Sequence, residues 1–329
     1  MSGGPHGASG GAFGPVESRR ASAPRCLGVV AGAAEGPTVV ITGGIHGNEP
    51  AGMLAARAVL ADLAARRSVL RGKVIAFTGN RRALEHGVRF VSRDLNRGWH
   101  EPELTRLHAA PEDALTTEDH EQRELHREIL ALEREPSRLV FLDLHTTSGP
   151  TEPFVCFSDT SANRRLACAL SVNVVLGLEK VVGASMLTWA SARGHVGISF
   201  EAGQHEDPRA VQRHIGAVWM LLVAVGALDA AHVPAEDAQL AAIRPSPGSR
   251  PLVVEVRHRH VVKVGDEFEM LEGFAGFDPI EAEQIIARDR RGPVRAPETG
   301  LLLMPRYQGQ GEDGFFVVRE VACTPPWST

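Results

Sequence analysis

Four short β-branched apolar runs punctuate the first two thirds of the chain: Val39-Val40-Ile41-Thr42, Val74-Ile75-Ala76-Phe77, Leu139-Val140-Phe141-Leu142 and Gly197-Ile198-Ser199-Phe200. They read as strands buried on both faces, the signature of a mainly parallel sheet. Helical spacing fills the gaps between them. Glu49 to Arg67 opens with Pro50 in its first turn and carries Leu54, Ala58, Leu60 and Leu63 at near-helical intervals. Thr117 to Glu135 places Thr117 as N-cap and repeats Leu125, Ile129 and Leu132 along one face. Strands alternating with helices predict an α/β fold, a mainly parallel or mixed sheet flanked by helices. The longest apolar run, Ile215 to Leu228, is shorter than the roughly 18 to 20 residues a bilayer span needs and follows Asp207-Pro208, so it predicts a buried helix.

The pattern then changes in kind. Asp229 to Pro251 is Ala- and Pro-rich, with Pro234, Pro245, Pro247 and Pro251, as suits a connection. Val253 to Val264 alternates apolar with polar residues, and Leu301 to Met304 and Phe315 to Val318 predict further strands between Gly-rich turns. The expected organisation is a flexible Gly-rich tail over residues 1–24, an α/β domain over 25–244 and a smaller β-rich domain over 245–329.

Composition narrows the function classes. With 329 residues, 43% of them hydrophobic and 23% charged, the chain is long enough for a sizeable core. A formal net charge of -5 leaves no basic excess to neutralise nucleic-acid phosphates or anionic lipid. The four cysteines, Cys26, Cys156, Cys168 and Cys323, show no C-x-x-C spacing and are too sparse for a disulfide framework, which fits a reducing, cytoplasmic setting.

The densest candidate chemistry lies in Gly43-Gly44-Ile45-His46-Gly47-Asn48-Glu49-Pro50-Ala51-Gly52, directly after one predicted strand and before a helix, where ligands bind in layered α/β folds. His46 and Glu49 stand three apart across a turn that Gly47 permits, so an imidazole nitrogen and a carboxylate can meet on one ion. His145, in Asp143-Leu144-His145-Thr146-Thr147, ends another strand and is the third candidate. Two histidines and a carboxylate, with a position left for water, form the ligand set of catalytic zinc. A second H-x-x-E, His100 to Glu103, has no preceding strand and contains Pro102, so a solvated loop is expected there.

The ordered set G-G-I-H-G-N-E-P-A-G, S-R-D-L-N-R, D-L-H-T-T and F-E-A-G-Q resembles the succinylglutamate desuccinylase and aspartoacylase family, a branch of the zinc carboxypeptidase superfamily, over roughly residues 27–320. The resemblance implies one Zn²⁺ per chain on His46, Glu49 and His145, with Glu201 as the catalytic glutamate that moves a proton from water to the leaving amine. It further implies that Arg89 stabilises the oxyanion, that Asn96 and Arg97 hold a substrate carboxylate, and that Asp94 orients His46. Asp143, two residues before His145 and so on the same strand face, is by its position a weaker candidate for orienting a ligand. In aspartoacylases the β-rich domain covers the channel and lends a tyrosine, which makes Tyr307, the single tyrosine of this chain, a candidate substrate contact.

The implied activity is hydrolysis of the amide bond of a small-molecule N-acyl amino acid, with no nucleic acid or membrane partner and with homo-oligomerisation admitted. Two alternatives stay open: a zinc carboxypeptidase acting on short peptides, whose core anchors a terminal carboxylate equally well, and a non-catalytic ligand-binding protein on the same scaffold. Elsewhere, His258 and His260 are expected on an exposed polar strand face, His120 and His126 on a solvated helix face, and Cys156 and Cys168 as small buried hydrophobes.

Overall fold

A computed structural model describes residues 23–135, 137–244 and 250–322. The expected flexible tail falls almost wholly outside the described residues, as do Pro245, Pro247 and Cys323. Strands β1 (Cys26–Ala31), β2 (Ala34–Gly43), β3 (Arg71–Thr78), β4 (Leu139–Thr147), β5 (Phe154–Cys156), β6 (Asn173–Leu176) and β7 (Val196–Gln204) form the first part of the sheet. Helices α1 (Ala51–Ala64), α2 (Arg81–His86), α3 (Glu101–Ala109), α4 (Thr117–Glu133), α5 (Ser161–Ala169), α6 (Leu178–Val182), α7 (Met186–Ala192), α8 (Ala210–Ala224) and α9 (Glu236–Ile243) connect and flank it. The C-terminal strands are β8 (Val253–Val261), β9 (Glu269–Met270), β10 (Pro279–Ile280), β11 (Ile285–Asp289), β12 (Gly292–Arg295), β13 (Gly300–Leu303) and β14 (Asp313–Glu320).

The large sheet runs β1-β3-β2-β4-β7-β5-β6-β8-β14-β13-β10, and the small one β12-β11-β9. The four runs anticipated from the sequence are β2, β3, β4 and β7, and they pair in parallel at the centre. Both faces of these strands are covered. Val39 and Ile41 join α1 and α8 side chains on one face, whereas Val40 joins Leu104, Leu125 and Leu187 from α3, α4 and α7 on the other. Period-2 alternation thus sends neighbouring residues into two separate cores, which is why these strands read as continuous apolar runs. The longest apolar run of the sequence lies largely in α8, and no helix among the described residues is long and apolar enough to cross a membrane.

Several local expectations shift. The α4 N-cap is Thr116, one residue earlier than expected: its hydroxyl accepts from the Asp119 amide, and the Asp119 carboxylate accepts from the Thr116 amide in return. His100 is exposed as expected, but it is the N-cap of α3, not a loop residue, with Pro102 in the first turn, where its missing N–H leaves nothing unpaired. His126 is buried against Trp99 and Trp189 and lies 2.7 Å from His108, so it belongs to the α3–α4–α7 core and not to a solvated face. β8 is an internal strand, and the half-buried His258 and His260 rings pack over Phe315 instead of facing water.

The connection after α8 holds α9, packed so tightly that a Cβ on Gly216 would lie 2.6 Å from the Gln239 carbonyl oxygen. β8 then pairs in parallel with β6 and antiparallel with β14, so the C-terminal strands extend the main sheet edge to edge. They also enclose a small core of their own around Met270, Ile286, Leu302 and Phe315.

Candidate active site

The strand order reverses at β2: β3 follows it on one side, and β4 returns on the other. In open α/β sheets such a switch point leaves a crevice at the carboxyl ends of the strands. His46 lies just past the end of β2, His145 near the end of β4, and Glu201 on β7 sits in register opposite His145. The turn from β2 into α1 brings Glu49 back under His46, closed by a 3.1 Å hydrogen bond from the Glu49 amide to the His46 carbonyl. Gly47 is required there because a Cβ would lie 2.0 Å from the Ala83 carbonyl carbon.

His46 and His145 present Nδ1 to opposite oxygens of the buried Glu49 carboxylate, each at 2.9 Å, and the three ligand atoms lie within 4.8 Å of one another. Each ring turns Nε2 to a second carboxylate: Asp94 Oδ1 at 3.0 Å for His46 and Asp143 Oδ2 at 2.9 Å for His145. Every ring nitrogen therefore faces a carboxylate, which only accepts, and a neutral ring with its single N–H leaves one nitrogen lone pair facing a carboxylate oxygen. Lone pairs and carboxylate oxygens at that distance repel unless a second proton or a cation lies between them. Burial opposes a charge on His145, but Asp143 and Glu49 hold its pKa well above the usual imidazole range. Glu49, also disfavoured by burial, is kept well below the usual carboxylate range by His46 and His145. The arrangement of two oriented imidazoles and a carboxylate fits a divalent cation.

The orienting carboxylates are themselves held. Thr42 donates to Asp143 at 2.6 Å, while Asp94 accepts from the Asn96 amide at 2.8 Å and from Arg89 Nη2 at 2.9 Å. Burial works against the Asp94 charge, yet Arg89 and His46 keep its pKa well below the ordinary value. Arg89 also approaches Glu49 at 3.5 Å and lines the cavity beside it. Glu201 is buried at the cavity wall, and its Oε2 has no hydrogen-bond partner among the described residues. Burial pushes its pKa up to about 7, against the pull of the nearby His145. A carboxylate poised near neutrality and free of partners is suited to taking up and releasing a proton.

The remaining expected residues divide. Asn96 and Arg97 line the cavity, but the Asn96 side-chain oxygen accepts from the Met186 amide, and Arg97 is paired with Asp313 at 3.1 Å. Tyr307 is turned away. Its hydroxyl donates to the Leu271 carbonyl at 2.8 Å and accepts from the Phe274 amide at 3.2 Å, whereas Met304, Arg306 and Gln308 line the cavity. The tyrosine ring lies beside Gly149, where a Cβ would come within 3.1 Å of its Cδ2. Accordingly, Tyr307→Phe should leave kcat and KM within about twofold and cost about 1 kcal/mol of stability in denaturant unfolding; a tenfold loss of kcat/KM would restore the tyrosine to the site.

Sequence reasoning missed a polar belt at the cavity rim. His205, just after β7, accepts or donates at 2.8 Å with the Thr146 hydroxyl and lies 3.2 Å from Asn48, which in turn donates to Gln308 at 2.8 Å. Gln310 accepts from the Arg89 amide at 3.0 Å and donates to the Phe90 carbonyl at 3.0 Å, tying the C-terminal segment to the loop that carries Arg89. Only the position of Asn48 inside the Gly-rich motif and of His205 after Glu201 hinted at these contacts.

A family model described as the succinylglutamate desuccinylase/aspartoacylase catalytic domain matches residues 35–217. No curated protein matches the chain in sequence. Solved structures that share the fold include the product-bound ectoine utilization protein EutE (DoeB) from Ruegeria pomeroyi, 20% identical, covering 89% of this chain and 88% of its own at a TM-score of 0.62. A succinylglutamate desuccinylase/aspartoacylase from Rhodobacter sphaeroides is 18% identical over 90% of this chain and 88% of its own, with a TM-score of 0.64. A succinylglutamate desuccinylase from Vibrio parahaemolyticus is 16% identical over 88% and 83%, with a TM-score of 0.59.

Proposed function

This chain belongs to the succinylglutamate desuccinylase/aspartoacylase family, and from that premise we propose that it hydrolyses the amide bond of an N-acyl amino acid with one zinc ion held by His46, Glu49 and His145. The observation that carries the reading is the pair of Nδ1 atoms converging on Glu49 while their Nε2 atoms are fixed by Asp94 and Asp143, with the unpartnered Glu201 carboxylate in the same cavity. Zinc, which favours imidazole nitrogen and carboxylate oxygen, supplies Lewis-acid polarisation of a carbonyl and acidifies water.

The chain's own groups do the rest. Glu201 takes a proton from the attacking water and delivers it to the leaving amine, a role its pKa of about 7 suits in both directions. Arg89, held cationic by Asp94 and Glu49 despite its burial, is placed beside the ligand cluster to stabilise the developing oxyanion. Asn96 and Arg97 would hold the substrate carboxylate, for which Arg97 exchanges part of its contact with Asp313. Four cysteines without framework spacing support a cytoplasmic setting.

The test is amine release from N-acetyl, N-succinyl and N-formyl amino acids and dipeptides, before and after chelation and zinc restoration. Zinc-restorable turnover of an N-acyl class is the expected result. Cleavage of dipeptides alone would promote the peptidase alternative, and no turnover by zinc-loaded protein would leave a substrate outside this panel or a binding protein.

A further inference from the structure

Three charged side chains from distant parts of the chain meet at one side of the cavity. Arg97, on the loop before α3, donates from Nη2 to Oδ2 of Asp313, the first residue of β14, at 3.1 Å. The other oxygen of Asp313 accepts from Nε of Arg259, on β8, at 2.6 Å. β8 and β14 pair antiparallel, with Val261 opposite Asp313 and Arg259 opposite Phe316, so the sheet itself keeps arginine and carboxylate side by side. Arg259 is fixed a second time, donating from Nη1 to the Val181 carbonyl of α6 at 2.6 Å. Arg97 and Asp313 line the cavity, and Arg259 stands behind them. The three side chains are only 18% to 25% exposed, so water and salt screen their charges incompletely.

The charge balance bears on any residue that is to hold a substrate carboxylate. Facing Arg97 alone, Asp313 would cancel the guanidinium charge and compete with the substrate for its donors. The second guanidinium alters this, because the shorter of the two contacts is the one to Arg259 and the three groups together keep one positive charge. Glu312 approaches Arg259 only to 3.9 Å and is 76% exposed, so it takes little of that charge.

We propose that Arg259 is a positioning residue for substrate binding: by neutralising Asp313 it leaves the charge of Arg97 for the substrate carboxylate. This rests on the deacylase reading above, in which Arg97 receives that carboxylate. Arg259 acts only through Asp313, and Asp313 holds the Arg97 fork at the cavity wall until the substrate arrives.

The probes are the N-acetyl, N-succinyl or N-formyl amino acid that the zinc-loaded wild type turns over fastest and the same compound with its α-carboxylate converted to the carboxamide. Arg259→Gln should raise KM for the acid by about tenfold and leave kcat within about twofold, the pattern of an unbalanced carboxylate competing for a sheltered guanidinium. KM for the carboxamide should move by less than about twofold, since it brings no charge to Arg97. Adding Asp313→Asn to Arg259→Gln removes the competing charge and should bring KM for the acid back to within about threefold of the wild type. Damage to the packing of α6 or β8 would instead strike acid and carboxamide alike and would not be relieved by the second substitution. Calorimetry with both compounds on a Glu201→Gln background reads the affinities without turnover and should show the same shift and the same recovery. An unchanged KM in Arg259→Gln, an equal effect on acid and carboxamide, or no recovery in the double variant overturns the inference and leaves the deacylase reading standing. If no N-acyl amino acid is bound or turned over, the deacylase reading falls, and this assignment with it.

Discussion

Exchanging Glu201 for glutamine lowers kcat by about three orders of magnitude, within the range for loss of a positioned general base, while the metal content stays at the wild-type level. Glutamine keeps the shape of a side chain that is buried and whose Oε2 has no partner to lose, so the fold has little reason to respond. The pH profile carries a second signature. The base must be ionised, so kcat/KM rises with pH through the carboxyl pKa; burial sets this near 7, and a cation on the neighbouring ligands draws the midpoint lower. The stability sign is the reverse. A carboxyl whose folded pKa is raised above its unfolded value of roughly 4.3 contributes stability below that value and loses it as pH rises through about 7. Glu201→Gln therefore removes both the rising limb of activity and part of the loss of stability toward alkaline pH. A metal-loaded variant with near-normal kcat would remove Glu201 from the chemistry.

Replacing His46 or His145 by alanine takes away the metal itself, and activity falls below detection. Each ring supplies one of three converging atoms, and two remaining ligands no longer enclose an ion. Asp94→Asn and Asp143→Asn leave the ligands in place but loosen ring orientation, for an expected 10- to 100-fold loss of metal affinity. Elemental analysis after dialysis against a fixed free-zinc concentration separates the two classes. Because a ligand that binds only the folded state stabilises it, the wild type should also lose thermal stability on chelation, and the alanine variants should show no further loss. Stoichiometric zinc in His46→Ala or His145→Ala would show that the ion sits elsewhere.

What could be read from the sequence followed from how local the physics is. The central strands β2, β3, β4 and β7 were legible because burial on both faces writes itself as a continuous apolar run. The convergence of His46, Glu49 and His145 was legible because the first two lie within one glycine-bearing turn and the third near the end of a neighbouring strand. Contacts made across the fold left weaker traces. Gln308 and Gln310 reach Asn48 and the Arg89 loop from the far end of the chain, and uncharged amides carry no spacing signal. Tyr307 was singled out by its chemistry, but its hydroxyl is held by the Leu271 carbonyl and the Phe274 amide, contacts across the β-rich segment that no local pattern shows. The C-terminal strands were recognised as strands, yet nothing local reveals that β8 would join β6 and extend the main sheet.

The most direct measurement takes purified wild-type protein and follows metal content and amine release together through exhaustive chelation and stepwise return of zinc. One equivalent of zinc per chain is expected at full activity, with parallel loss of metal and turnover and recovery that saturates as the single site refills. Undiminished turnover by protein stripped of metal would contradict it.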